Sequence, residues 1–170
     1  MNDNPGVKLP PDYLIYESFQ LDYQKYFTDS EDTARWLAGL LKKHINLNEV
    51  KILDWGCGPG RVIRHLSKFA GPGAEFFGTD YNAASIAWCA ENLPGIQFNR
   101  NSLAAQLPYE SSFFDVIYGI SVFTHLSEKM HFAWFAELFR VLKPGGIMLF
   151  TAQGENFREK LTGSELTEFD

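Results

Sequence analysis

Cysteine is scarce in this 170-residue chain: Cys57 and Cys89 are the only two, too few for a small secreted scaffold stapled by disulfides. Basic residues are outnumbered, with 15 Lys plus Arg against 21 Asp plus Glu and a formal net charge of −6. The overall field therefore does not favour nucleic acid or an anionic membrane. No uninterrupted apolar run approaches the ~18 residues of a membrane span. The opening Met-Asn-Asp-Asn-Pro-Gly has neither the basic start nor the apolar stretch of a signal peptide. Internal repeats and low-complexity tracts are lacking too. What is present is 45% hydrophobic and 15% aromatic residues, enough for one packed domain. A soluble, cytoplasmic protein, with no nucleic-acid or membrane partner, is expected.

From Lys51 onward short apolar segments alternate with helix-period segments, the pattern of successive β-α units and a parallel sheet. Strands are expected at Lys51–Trp55, Ala74–Asp80, Ile96–Asn99, Asp115–Ile120 and Ile147–Ala152. Helices are expected at Gly60–Phe69, Ala83–Asn92 and Glu128–Leu142. The last has Ser127 as N-cap, a stripe of Met130, Trp134, Phe135, Leu138 and Leu142, and a stop at Lys143-Pro144-Gly145-Gly146. An earlier amphipathic helix, Ser30–Ile45, carries Ala34, Leu37, Ala38, Leu41 and Ile45 on one stripe. Residues 1–29 hold Tyr13, Tyr16, Phe19, Tyr23, Tyr26 and Phe27, so they read as an aromatic arm folded over a domain of residues 30–153. Residues 154–170 form a short tail with one helix at Glu155–Leu161.

The most informative stretch is Ile52-Leu53-Asp54-Trp55-Gly56-Cys57-Gly58-Pro59-Gly60-Arg61, a buried strand running through a glycine-rich turn into a helix. Such glycines let a nucleotide-like ligand lie against the backbone. Counted from Gly56, the third glycine of a dinucleotide fingerprint falls on Arg61, and no Lys-Ser or Lys-Thr follows the loop as a phosphate-binding loop requires. Asp54 is poorly placed beside a pyrophosphate and suits a cation. Asp80 ends the second strand at about the ~20-residue offset where a carboxylate accepts ribose hydroxyls, a feature shared by NAD and S-adenosylmethionine sites. S-adenosylmethionine, cationic and phosphate-free, fits the set best.

Asp54-x-Gly56-Cys57-Gly58-x-Gly60, Phe76-Phe77-Gly78-Thr79-Asp80-Tyr81, the Tyr118–Leu126 stretch and Lys143-Pro144-Gly145-Gly146 resemble, in order, the motifs of class I S-adenosylmethionine-dependent methyltransferases. The resemblance implies an α/β fold with a Rossmann-like, doubly wound parallel sheet in strand order 3-2-1-4-5. It implies Tyr81 stacking on the adenosine and Asn101, where relatives often have Asp, bonding the adenine amino group. Ser102 and Leu103 would present backbone to the purine. Ser121, Phe123 and His125, at the carboxyl end of the fourth strand, would lie near the methyl donor. His125 is the candidate base for an acceptor that must lose a proton, and Tyr13, Tyr16 and Glu17 are candidates for covering a small-molecule acceptor. Members of the family generally add two strands in a C-terminal hairpin. That hairpin is missing here, so the chain is expected to be truncated, with its fifth strand an exposed edge and the protein a monomer or a dimer through it.

Plainer readings stand beside these. Cys57 is a small residue in a tight loop and Cys89 a core residue. Arg61, Arg64, His65 and Lys68 form a solvated helix face; Trp36, Trp88 and Trp134 are packing groups. The four histidines make no metal site, since His125 and His131 are off the i,i+4 face. Trp55 stands where the family usually has a smaller aliphatic residue. The alternatives to a methyltransferase are a cofactor-binding module without catalysis and an NAD-dependent dehydrogenase fragment.

Overall fold

The computed structural model describes residues 7–19 and 21–152. Helix α1 (Asp12–Phe19) and a π-helical turn (Lys25–Asp29) lead into α2 (Ser30–Leu41). Then follow β1 (Lys51–Trp55), α3 (Ile63–Leu66), β2 (Glu75–Asp80), α4 (Ala83–Asn92), β3 (Ile96–Arg100), β4 (Phe114–Gly119), α5 (Glu128–Val141) and β5 (Leu142–Phe150). The five strands pair in parallel in the order β3-β2-β1-β4-β5, the expected doubly wound sheet. The expected tail helix at Glu155–Leu161 lies outside the described residues. Among the described residues no helix is long and apolar enough to cross a membrane.

Strand residues alternate between two cores because successive side chains point to opposite faces. Ile52, Phe76, Val116 and Tyr118 meet the stripe Ala34, Leu37, Ala38 and Leu41 of α2 on one face. Leu53, Trp55, Phe77 and Ile117 meet Trp134, Leu138 and Val141 of α5 on the other.

Several elements depart from the sequence reading. Helix α2 stops at Leu41, where Lys42, Lys43 and His44 close into turns bonded to carbonyls of residues 38–41. The Gly60–Phe69 helix shrinks to one regular turn, flanked by 3-residue backbone bonds such as His65 N–H to Val62 O. Ser127 occupies the N-cap of α5 but its side chain makes no capping bond. Strand β5 starts five residues earlier than expected, because Lys143-Pro144-Gly145-Gly146 forms a bulge within it. Leu142 pairs with Phe114 before the bulge and Ile147 with Val116 after it. A Cβ on Gly146 would stand 2.9 Å from the Asp115 carbonyl oxygen, and Lys143 Nζ donates to both Asp115 carboxylate oxygens at 2.8 Å.

Trp36 is 53% exposed, off the buried stripe of α2, whereas Trp134 is core as expected. His65 is not on a solvated face but buried, its ring edge-on to Phe27 at 4.8 Å. Burial, then Lys68 and Arg64, push its imidazole down to about 4.

The aromatic arm is tied to the glycine loop. Tyr26, fully buried, donates its hydroxyl hydrogen to the Pro59 carbonyl (2.7 Å) and accepts from Arg64 Nη1 (3.1 Å). Arg64 Nη2 donates to the Lys8 carbonyl (2.7 Å), and the guanidinium lies 5.7 Å from the Tyr26 ring centroid. Tyr26→Phe leaves the Pro59 carbonyl and Arg64 short of a partner, so it should destabilise the protein by about 1–3 kcal/mol in urea unfolding. Phe132→Ser, on the exposed side of α5, should change stability by no more than ~0.5 kcal/mol.

Candidate active site

The site begins with the turn that follows β1. Gly56 and Cys57 both donate their N–H to the Thr79 carbonyl, at 2.8 and 2.9 Å, so the loop leans across the end of β2. Gly56 and Gly58 have φ of +74° and +50°, a left-handed backbone that glycine adopts without a Cβ penalty. At Gly56 there is also no room: a Cβ would come within 2.4 Å of Val122 Cγ2.

Asp80 then locks the loop. Its Oδ2 accepts from the Gly58 N–H and its Oδ1 from the Asn82 N–H, each at 2.8 Å. Asn82 is the N-cap of α4, its Oδ1 accepting from the N–H groups of Ala84 and Ser85 (3.0 and 3.1 Å). The Asp80 carbonyl accepts from the Asn101 N–H (3.1 Å), which fixes the segment after β3 beside it. That segment is held from behind by α5. Glu137 Oε1 accepts from the Leu107 N–H (2.6 Å), and Arg140 grips both Glu137 oxygens at 2.7 Å. The ion pair holds the Glu137 carboxyl below its ordinary range.

These elements enclose a cavity of about 610 Å³ at the carboxyl ends of the strands, where ligands of open parallel sheets bind. Of the residues predicted for the site, Gly56, Gly58, Asp80, Tyr81, Asn101, Ser102, Leu103 and His125 line it. The other predicted residues stand elsewhere. Gly60 packs against Cys89 and Leu93, and Cys57 turns its thiol to Gly78. Ser121, at φ +59°, spends its N–H on Thr151 Oγ1 (2.8 Å). Phe123 lies behind the wall, 4.9 Å from the Trp55 ring and edge-on to His131 at 5.3 Å. Tyr13 and Tyr16 of α1 point to solvent, 60% and 61% exposed, and their buried neighbour Leu14 reaches the cavity instead. The Glu17 side chain lies outside the described residues.

Asp54 also misses the cavity wall. It is buried beneath the loop, accepting from the Tyr118 hydroxyl at 2.8 Å. Burial outweighs that bond and the nearby Arg61, raising its carboxyl from the ordinary 3.8 to about 7. Near neutral pH it is therefore divided between its acid and its anion. Its carboxyl is partnered inside the fold by the Tyr118 hydroxyl and does not stand on the cavity wall.

Sequence reasoning missed Leu14, Trp55, Pro59, Asn82, Ser85, Val122, Leu126 and Trp134 on the wall. Asn82 had a usable signal, an Asx residue directly before the helical run. Trp55, Pro59, Val122 and Leu126 lie inside stretches already singled out in the sequence, whereas Leu14 and Trp134 read as core.

The residues present fit the adenosyl part of S-adenosylmethionine. Carboxylate oxygens each accept more than one bond, so Asp80 can take ribose hydroxyls alongside its backbone donors. Asn101 is buried, donates Nδ2–H to the Ser102 carbonyl (2.9 Å), and leaves its Oδ1 without a hydrogen-bond partner. A buried orphan acceptor is costly, and the adenine amino group is the donor that would satisfy it. Among the described residues no cluster of His, Cys, Asp and Glu could hold a metal ion.

The Asp54 environment sets a pH signature. Between pH 4 and 7 the unfolded chain ionises Asp54 while the folded protein keeps it protonated, so this contribution to stability is present in acid and lost as pH rises through 7. His65, held low, works in the opposite sense, so the comparison is made against Asp54→Asn. In urea unfolding, the stability of the unsubstituted protein relative to that variant should fall between pH 4.5 and 7.5. A constant difference would contradict the buried, protonated Asp54.

Residues 52–146 match the family described as a methyltransferase domain. The chain is 38% identical over 111 residues to phthiotriol/phenolphthiotriol dimycocerosates methyltransferase 1 of Mycobacterium ulcerans, covering 64% of this chain and 39% of that protein. It is 32% identical over 142 residues to a demethylmenaquinone methyltransferase of Lactococcus lactis, covering 78% of this chain and 54% of the relative. Among solved structures, the PH0226 protein of Pyrococcus horikoshii aligns with a TM-score of 0.66 and 25% identity, over 88% of this chain and 69% of that one. The chain thus spans from about two fifths to about half the length of these curated relatives. A glycine loop clamped by the acid that ends β2, a 3-2-1-4-5 parallel sheet and a family match over more than half the chain agree: this chain belongs to the class I S-adenosylmethionine-dependent methyltransferase family.

Proposed function

We propose that this protein transfers a methyl group from S-adenosylmethionine to a small-molecule acceptor. The observation that carries the reading is the pairing of Asp80 with the orphan Asn101 Oδ1 on one wall of the glycine-loop cavity. When bound, S-adenosylmethionine supplies a methyl group already activated on a sulfonium and transferable by in-line displacement. The chain's own residues then have to align and dry the reacting groups. Asp80 holds the ribose, Asn101 Oδ1 and the Ser102-Leu103 backbone meet the purine, and Tyr81 covers the adenosine. Leu14 and Val122 exclude water from the loop side. His125, on the rim, takes the proton from an acceptor hydroxyl. The curated relatives are named as methyltransferases of phthiotriol/phenolphthiotriol dimycocerosates and of demethylmenaquinone, which supports a small-molecule rather than a nucleic-acid acceptor. We place the protein in the cytoplasm on the strength of its two free, buried cysteines. It acts as a monomer or as a dimer paired along β5, the outer strand of the sheet among the described residues.

Calorimetric titration should show binding of S-adenosylhomocysteine and no heat with NAD. Asp80→Ala should weaken S-adenosylhomocysteine by roughly 10–100-fold, and Asn101→Ala by roughly 5–10-fold, from the loss of charge-assisted and neutral hydrogen bonds respectively. Binding of NAD without S-adenosylhomocysteine would overturn the reading.

A further inference from the structure

Arg64 grips the N-terminal arm on both sides of α1. Its Nη2 donates to the Lys8 carbonyl (2.7 Å), ahead of that helix, and its Nη1 to the Tyr26 hydroxyl (3.1 Å), in the π-helical turn behind it. The guanidinium also lies 5.7 Å from the Tyr26 ring centroid, 5.2 Å from Phe27 and 6.0 Å from Trp88 of α4. A planar, forked cation suits two acceptors and several ring faces at once, which a lysine ammonium on its flexible stem does not.

Between those two grips α1 buries Leu14 and Ile15 and leaves Tyr13 and Tyr16 exposed. Leu14 is the arm's one contribution to the cavity wall among the described residues. A helix of eight residues is not stable by itself in water, so α1 keeps its place at the cavity only while it is fastened. The Tyr23 hydroxyl donates to Asp12 Oδ1 (2.7 Å), but that exposed bond joins the arm to itself rather than to the sheet domain.

The fastening shares the loop on which the cofactor rests. Tyr26 donates to the Pro59 carbonyl (2.7 Å), Pro59 lines the cavity, and the N–H of the adjacent Gly58 is held by Asp80. A ligand settled on Gly58 and Asp80 steadies the carbonyl to which the arm is anchored. An anchored arm in turn keeps Leu14 against the ligand. When binding and closure bias the same element, each must strengthen the other by the same factor.

We infer that residues 8–19 form a strap whose closure on the cavity and the binding of S-adenosylmethionine are one linked equilibrium, and that Arg64 is the positioning residue that latches the strap. The inference rests on the reading that the cavity holds S-adenosylmethionine. Arg64 is not on the wall; it acts through Lys8, Tyr26 and, at the cavity, Leu14.

The test follows amide hydrogen exchange of the full chain by mass spectrometry, comparing peptides from the strap with peptides from α5, alone and with saturating S-adenosylhomocysteine. Calorimetry gives the affinity. S-adenosylhomocysteine should slow strap exchange by roughly 10-fold or more. Arg64→Met, which keeps the apolar stem and removes both donors, should speed strap exchange by roughly 10-fold or more and weaken S-adenosylhomocysteine by roughly 5–10-fold, with α5 exchange unchanged. Arg64→Lys should recover part of both losses. A merely structural Arg64 would instead speed exchange in the strap and α5 alike. That result, strap exchange indifferent to S-adenosylhomocysteine, or faster strap exchange with unchanged affinity would each overturn the inference. If Arg64→Met fails to fold, the unsubstituted protein with and without S-adenosylhomocysteine decides alone. Absence of heat with S-adenosylhomocysteine would overturn the cofactor reading instead; strap exchange in Arg64→Met would still decide the latch, and a rate equal to that of the unsubstituted protein would refute it.

Discussion

The Asp80 carboxylate organises the end of this sheet. Its two oxygens take the N–H groups of Gly58 and Asn82, so one side chain fixes both the glycine loop after β1 and the start of α4. Both bonds are part-buried, and an ionised acceptor is a stronger partner for such N–H groups than a neutral one. The Asp80 backbone extends the arrangement by accepting from Asn101. Three neighbouring strands thus deliver their following loops to one place, and the binding wall is held by bonds internal to the protein rather than waiting for a ligand to order it.

Around this clamp the two faces of the sheet serve different ends. The α2 face buries Asp54 and Tyr118 beneath the loop and anchors the N-terminal arm through Tyr26 and Arg64. That anchoring brings Leu14 to the cavity. The α5 face carries Trp55, Phe123, Trp134 and Phe150, an aromatic group packed in the core behind the cavity at the end of the sheet. Glu137 and Arg140 add a tie from α5 to the loop after β3, so α5 supports the site from behind.

Much of the fold was legible in the sequence because it rests on local rules. Segments rich in β-branched and aromatic residues, bounded by Gly, Pro, Asn or Asp, located β1 to β4, and the period of Ala34, Leu37, Ala38 and Leu41 located α2. The start of β5 was hidden because Pro144 and Gly145 read as a terminator, whereas the parallel neighbour β4 holds them in the sheet as a bulge. On the cavity wall, Gly56, Gly58 and Asp80 were readable from backbone conformation and hydrogen-bond capacity, and Asn101 from the family resemblance. Leu14, Leu126 and Trp134 were not, since whether an apolar residue faces a cavity or a core depends on tertiary placement. Asp54 shows the same limit: its position at the strand end was correct, but only the packing of Tyr118 and Arg61 around it reveals a carboxyl raised to about 7. The oddity of Trp55 became intelligible once Gly119, distant in sequence, was seen to leave it room.

The most direct measurement is a crystal structure with S-adenosylhomocysteine bound. The account predicts ribose hydroxyls on the Asp80 carboxylate, the adenine amino group on Asn101 Oδ1, and the sulfur at the border between the polar wall and Trp55. A ligand turned so that its adenine lies against Trp55 and Trp134, leaving Asn101 Oδ1 unpaired, would contradict it.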